Sequence, residues 1–150
     1  MPRIDFYHLK KQSLEEVLPR LLEKAYTTGN AVLLKTTTDN VEKINTLLWT
    51  YADDGFLPHG SAKDGFAAEQ PVFITDNDEN VNQAHFLFLT NGAEPNLADI
   101  DRYDRIFNIF DENTDTAVQQ ARQLWKNFKD SGYEVHYWQQ SERGNWEQKV

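Results

Sequence analysis

The sequence contains no cysteine, a single methionine and fewer basic than acidic residues. Without cysteine, the chain has no disulfide, no thiol nucleophile and no cysteine-ligated zinc or iron–sulfur cluster. This composition fits a reducing compartment. No N-terminal run is apolar enough for a signal peptide, and no stretch approaches the length of a membrane span. We therefore expect a cytoplasmic protein.

The shortage of basic residues argues against direct DNA binding. Lysine and arginine number 15 against 24 aspartates and glutamates, for a formal net charge of −9. A duplex-binding protein normally carries a broad basic surface that neutralises phosphates. One local basic patch would favour a short acidic peptide, because charges beyond roughly 8–10 Å are screened. The simpler explanation is that the charge only keeps the protein soluble.

The common phosphate-binding and nucleophile motifs are missing as well. The sequence has no Gly-x-x-x-x-Gly-Lys-Ser/Thr and no Gly-x-Ser-x-Gly, and the turn at residues 8–12 after the first predicted strand has no glycine. A pyrophosphate needs such glycines for close approach to the backbone. We expect neither a nucleotide site nor a cofactor.

Apolar periodicity predicts alternating strands and helices in one domain over residues 1–150. Strands are predicted at residues 3–9, 31–34, 71–74, 84–89, 105–110 and 133–139, and helices after a capping box at Ser13 and Glu16, after residue 39 or 40, and at 113–130. This order favours an α/β fold, a three-layer Rossmann-like or P-loop-like sandwich with a mostly parallel sheet. No helical pattern separates the strands at 71–74 and 84–89, so we expect a hairpin there and a mixed sheet.

The helix predicted at 113–130 has two different faces. One is an apolar stripe of Ala117, Ala121, Leu124 and Phe128, and rotated away from it are Arg122, Trp125, Lys126 and Lys129. Cations around a tryptophan suit an acidic peptide, because arginine holds carboxylates with paired bonds and tryptophan supplies apolar area. The simpler alternative is that Trp125 flanks the core and the cations solubilise the helix or interact with its C-terminal dipole.

Three aspartates offer a different hypothesis. Asp99, Asp101 and Asp104 precede a predicted strand and have the oxygen ligands that magnesium prefers. They support an alternative function, a nucleotide- or metal-dependent hydrolase of Rossmann-like fold. On irregular backbone, such aspartates more often form a solvated surface or a helix cap.

Several motifs along the chain carry a family resemblance. Phe6-Tyr7 comes first, then Leu47-Leu48-Trp49 and Phe56-Leu57-Pro58-His59, and finally Ala121-Arg122, Trp125-Lys126, Phe128-Lys129 and Gly132-Tyr133. In this order and spacing they resemble the chi subunit of bacterial DNA polymerase III holoenzyme along the whole chain. The resemblance implies a Rossmann-like or P-loop-like fold without a nucleotide site. It also implies a non-catalytic accessory subunit of the clamp-loader complex, with polymerase activity in other subunits.

The resemblance also implies two partners. Family members bind the acidic C-terminal tail of single-stranded-DNA-binding protein through a basic and aromatic face of the last long helix, where this chain has Arg122, Trp125, Lys126 and Lys129. Tryptophan replaces a common tyrosine there. Val118 stands where some relatives have a lysine, and this departure should weaken tail binding.

The second implied partner is the psi subunit. Its possible contact is Trp49, Phe56, Leu57 and Pro58. These residues could equally belong to the core, since helical spacing places Leu48 inside and Trp49 one step off that face.

Overall fold

A single mixed sheet organises the chain. The computed structural model describes residues 2–51, 57–112 and 115–149. Within these ranges the strands are β1 (Arg3–Leu9), β2 (Val32–Lys35), β3 (Gly60–Ser61), β4 (Val72–Thr75), β5 (Phe86–Thr90), β6 (Arg105–Asp111), β7 (Glu134–Gln140) and β8 (Trp146–Gln148). They lie in the order β3-β4-β2-β5-β6-β1-β7-β8. The neighbours pair in parallel except β7 and β8, which are antiparallel.

The expected hairpin in the middle of the chain is wrong. The strands β4 and β5 lie on opposite sides of β2, and each pairs with it in parallel. The sheet is mixed for another reason, because β8 turns back on β7. The strand β8 escaped prediction because its three residues are too few to show an alternating pattern.

The helices are α1 (Leu14–Thr27), α2 (Val41–Thr50) and α3 (Asp115–Asp130). The predicted capping box begins α1: Ser13 Oγ accepts from the Glu16 amide at 3.3 Å, and Glu16 Oε1 accepts from the Ser13 amide at 3.3 Å. These bonds satisfy amides that a helix start leaves without partners. None of the helices in the described ranges combines the length and apolarity that a bilayer span requires.

Helices cover both faces of the sheet, which confirms the predicted three-layer architecture. Alternate residues of β1 point to opposite faces. Tyr7 and Leu9 join the core under α1 and α2, whereas Ile4 and Phe6 join the core under α3. Helix α3 packs on β6 and β7, and these strands, with β1 between them, carry residues of the site described next.

Candidate binding groove beside helix α3

Buried apolar residues fix the orientation of α3 on the sheet. Ala121 and Phe128 are almost wholly buried, and the Phe128 ring lies 6.5 Å from the Phe6 ring and 5.7 Å from that of Tyr133. Gly132 follows the helix at φ +87°, a left-handed conformation that glycine adopts at low cost. The Tyr133 amide then donates to the Phe128 carbonyl at 3.1 Å. With this stripe held inward, the neighbouring face of α3 borders a groove.

The α3 groove has a volume of about 470 Å³ and is lined by His8, Lys10, Glu112, Arg122, Trp125, Lys126, Tyr137, Gln139 and Lys149. Three of the four predicted site residues, Arg122, Trp125 and Lys126, therefore share one wall. Lys129 is not among the lining residues. Its Nζ instead lies 4.9 Å from the centroid of the Trp125 ring, within cation–π distance. Lys129 thus supports the tryptophan from outside the groove.

Trp125 belongs to both the groove and the core. Its side chain is half-buried and packs against the apolar cluster under α3. Its indole Nε1 is buried and has no hydrogen-bond acceptor among the described residues. An unsatisfied buried donor costs about 1–3 kcal/mol. Both interpretations of Trp125 from the sequence therefore describe part of its environment.

Sequence reasoning missed the opposite wall of the groove. Lys10 follows β1, Glu112 follows β6 and Lys149 follows β8. The parallel register places His8 beside Phe110 and Gln139, so the carboxyl ends of β1, β6 and β7 meet here. Lys149 arrives differently, because β8 is antiparallel and the Lys149 amide donates to the Tyr137 carbonyl at 2.8 Å. The rule that parallel strands end together at ligand sites was the available signal.

The α3 groove is cationic on an acidic protein. Its described lining contains four cations, Lys10, Arg122, Lys126 and Lys149, against one carboxylate, Glu112. The chain as a whole has a net charge of −9. Acidic side chains farther away than roughly 8–10 Å are screened. An anion in the groove therefore meets these four cations, Glu112, and Glu147, which pairs with Lys149 at 3.6 Å.

The buried side chain of His8 forms the floor of the groove. Its Nδ1 lies 2.8 Å from the Tyr137 hydroxyl, and its ring stacks on Phe110 at 4.7 Å. Burial lowers the pKa of His8, with nearby cations adding to the effect and Glu112 opposing it. Burial also raises the pKa of Tyr137, so this hydroxyl keeps its proton, and it shares a hydrogen bond with His8 Nδ1. The cationic character of the groove therefore comes from lysine and arginine.

Glu112 lies between His8 on the floor of the groove and Lys10 on its wall. Its Oε1 lies 2.7 Å from His8 Nε2 and 3.4 Å from Lys10 Nζ. The Glu112 side chain is 47% exposed. Glu112 therefore partly neutralises the cation of Lys10.

Val118 lies away from this lining. It is half-buried and packs against the core under α3. Its apolar side chain therefore has a packing role in this chain.

The residues of the possible psi contact lie in different environments. Trp49, near the end of α2, is 57% exposed and its ring lies 4.7 Å from that of His59. Pro58 is half-buried, whereas Leu57 is 1% exposed and belongs to the core. Phe56 lies outside the described residues. Trp49 and Pro58 remain as the accessible members.

The three aspartates do not share a site. Asp99 pairs with Arg102 at 3.6 Å, Asp104 pairs with His85 at 3.3 Å, and Asp101 accepts from the Tyr133 hydroxyl at 3.0 Å. In the part of the chain that the structure describes, no three histidine or carboxylate side chains come together as metal ligands. The geometry gives the hydrolase hypothesis no support.

Comparison with known proteins gives the groove a context. The family described as DNA polymerase III chi subunit, HolC, matches residues 1–136. The chain is also similar to a protein of Rickettsia prowazekii (strain Madrid E) named probable DNA polymerase III subunit chi. The two are 29% identical over 150 residues, covering 97% of this chain and 91% of the relative. The family match covers the chain from β1 through α3 to the beginning of β7, and it includes Arg122, Trp125, Lys126 and Lys129. The chain belongs to the DNA polymerase III chi subunit family and is an accessory subunit in DNA replication.

Proposed function

We propose that this chain binds the acidic C-terminal tail of single-stranded-DNA-binding protein in the α3 groove, and that it joins this protein to the clamp loader through the psi subunit. The observation that carries the proposal is the charge of the groove. Four cations and one carboxylate line it, on a chain of net charge −9. As a polymerase III subunit, the protein would work in the cytoplasm.

The chemistry of the groove matches each part of such a tail. Aspartates of the peptide would meet Arg122 and Lys126, and arginine can hold a carboxylate with two parallel bonds. The terminal apolar side chain would pack on Trp125, which is half-buried and backed by the core. Tryptophan and arginine are the residue types most enriched at binding hot spots. The groove thus offers charge and apolar area within one short distance.

A peptide titration tests this function. We expect an aspartate-rich peptide ending in phenylalanine to bind with micromolar affinity, about −8 kcal/mol. Affinity should fall as salt rises, because much of the attraction is between partly exposed charges. Fluorescence anisotropy with a labelled peptide measures both effects.

The control peptide lacks only the terminal phenylalanine. It keeps the acidic residues, so it should bind more weakly if the tail inserts an apolar end beside Trp125. Equal affinity for both peptides, or no binding of either, would contradict the proposal.

The psi subunit would bind elsewhere, at the surface around Trp49 and Pro58. Trp49 is exposed near the end of α2, and tryptophan is a common interface anchor. We expect Trp49→Ala to weaken binding of the psi subunit from the same cell by about tenfold or more, and to leave tail binding unchanged. Co-purification followed by calorimetry measures the loss.

Leu97→Ala provides the matched control for psi binding, since Leu97 is an apolar side chain of similar exposure at 61%. If both variants bind psi like the parent chain, the psi surface lies elsewhere. If both lose binding equally, the effect is not specific to Trp49.

A further inference from the structure

We infer that Glu112 acts as an internal competitor in the α3 groove, occupying the place beside Lys10 that a carboxylate of the bound peptide takes. This inference rests on the proposed tail binding and adds a subsite and a control of affinity to it. Glu112 and Lys10 lie across the groove from the residues that the family resemblance selects on α3. The observation that Glu112 pairs with Lys10 therefore does not depend on the family resemblance.

Lys10 stands on a fixed backbone. The side-chain oxygen of Gln140 accepts hydrogen bonds from the amides of Lys10, Lys11 and Gln12 at 3.1–3.3 Å. Gln140 is itself 2% exposed. Because three consecutive amides converge on one buried acceptor, the turn that carries Lys10 has a defined position, while the Lys10 side chain remains 40% exposed. This arrangement gives the subsite a rigid base and an accessible cation.

The pairing of Glu112 with Lys10 is weak enough for a ligand to displace it. The contact of Glu112 Oε1 with Lys10 Nζ is 3.4 Å, longer than its 2.7 Å contact with His8 Nε2. The side chain of Glu112 is 47% exposed. An exposed ion pair of this kind contributes little free energy, because water screens it and both side chains lose entropy. A peptide carboxylate can therefore replace Glu112 as the partner of Lys10.

Two energetic consequences follow for an acidic ligand. In the unbound protein Glu112 neutralises part of the charge of Lys10, so a ligand anion gains less from that lysine. Glu112 also repels any carboxylate bound near Lys10. Removing its charge should therefore strengthen binding, whereas removing any groove cation should weaken it.

The test substitutes the carboxylate by its amide. We expect Glu112→Gln to bind the aspartate-rich peptide about three- to tenfold more tightly at low salt, as one unit charge several ångströms away in solvent predicts. The gain should shrink as salt rises. Glu69→Gln is the control, since it makes the same charge change at an exposed position in the segment before β4, near the opposite edge of the sheet. It should change the affinity by less than twofold.

A double-mutant cycle separates competition from a general charge effect. Lys10→Gln should weaken peptide binding little in the parent chain, where Glu112 already neutralises the lysine, and several-fold in the Glu112→Gln background. Equal effects of Lys10→Gln in both backgrounds would overturn the inference, as would equal affinity of Glu112→Gln and the parent. Absence of binding by the parent and all variants would instead contradict the proposed function on which it rests.

Discussion

Arg122→Glu should reduce affinity for the acidic tail peptide by several hundredfold. The substitution removes a charge-assisted pair and places a carboxylate beside the ligand, and we expect a loss of about 3–4 kcal/mol. Arg122 lies on the same wall of the groove as Trp125, where the peptide would be desolvated. Anisotropy titration of the parent and the variant under identical salt measures the ratio.

The matched control is Arg20→Glu, which changes the net charge equally on an exposed position of α1, on the opposite face of the sheet. It should alter the affinity by less than threefold, since screened charges at that distance contribute little. Comparable losses from both variants would mean that the acidic peptide responds to net charge alone. No loss from Arg122→Glu would place the binding site outside the α3 groove.

Asp5→Asn should lower the free energy of unfolding by about 3 kcal/mol, because it breaks a buried charge cluster without changing side-chain size. Asp5 is fully buried in β1. It accepts from Arg3 at 3.0 Å, from Arg105 at 2.8 Å and from Trp138 Nε1 at 3.0 Å. The amide cannot replace the carboxylate opposite two guanidinium groups. We expect a loss near the lower end of the range for broken buried ion pairs, because both arginines are more than one-third exposed.

Chemical denaturation measures this loss, with Glu134→Gln as the control. Glu134 also pairs with Arg3, at 3.9 Å, but is 65% exposed. We expect its substitution to cost less than about 0.5 kcal/mol, as is usual for surface ion pairs. Equal destabilisation by the two substitutions would contradict the role assigned to burial.

The same cluster predicts a pH dependence. Burial raises the pKa of Asp5, but the hydrogen bonds from Arg105, Trp138 and Arg3 together outweigh it and hold the pKa below its usual value. The unfolded chain therefore binds a proton at higher pH than the folded chain does. The stabilisation is present above about pH 4, the pKa of an unperturbed aspartate, and is lost as pH falls through the folded value. Asp5→Asn should lack this part of the acid sensitivity.

Much of the fold could be predicted from local patterns. The predicted bounds of β1, residues 3–9, agree with the structure, and the capping box at Ser13 marks the beginning of α1. Strand neighbours could not be predicted in this way, because pairing joins residues far apart in the chain. This is why β4 and β5 were expected to pair, although β2 lies between them.

Only the part of the candidate site that lies on α3 could be predicted from the sequence. Helical spacing alone places Arg122, Trp125 and Lys126 on one face of α3, and all three line the groove. Lys10, Glu112 and Lys149 come from three other segments and meet there through strand register. A sequence pattern cannot show which distant segments meet in this way. For Leu57 the motif left both a partner surface and the core open, and the structure buries it.

The four tryptophans offer one direct test of where the acidic tail binds. Trp125 lines the α3 groove, Trp49 marks the proposed psi surface, and Trp138 and Trp146 line a separate cleft on the α1 face of the sheet. Each indole N–H gives its own NMR signal, so a titration with the aspartate-rich peptide reports on all three surfaces at once. We predict that the Trp125 signal shifts progressively to saturation while the other three stay nearly unchanged. A saturating shift at Trp49, Trp138 or Trp146 with Trp125 unmoved would contradict binding in the α3 groove.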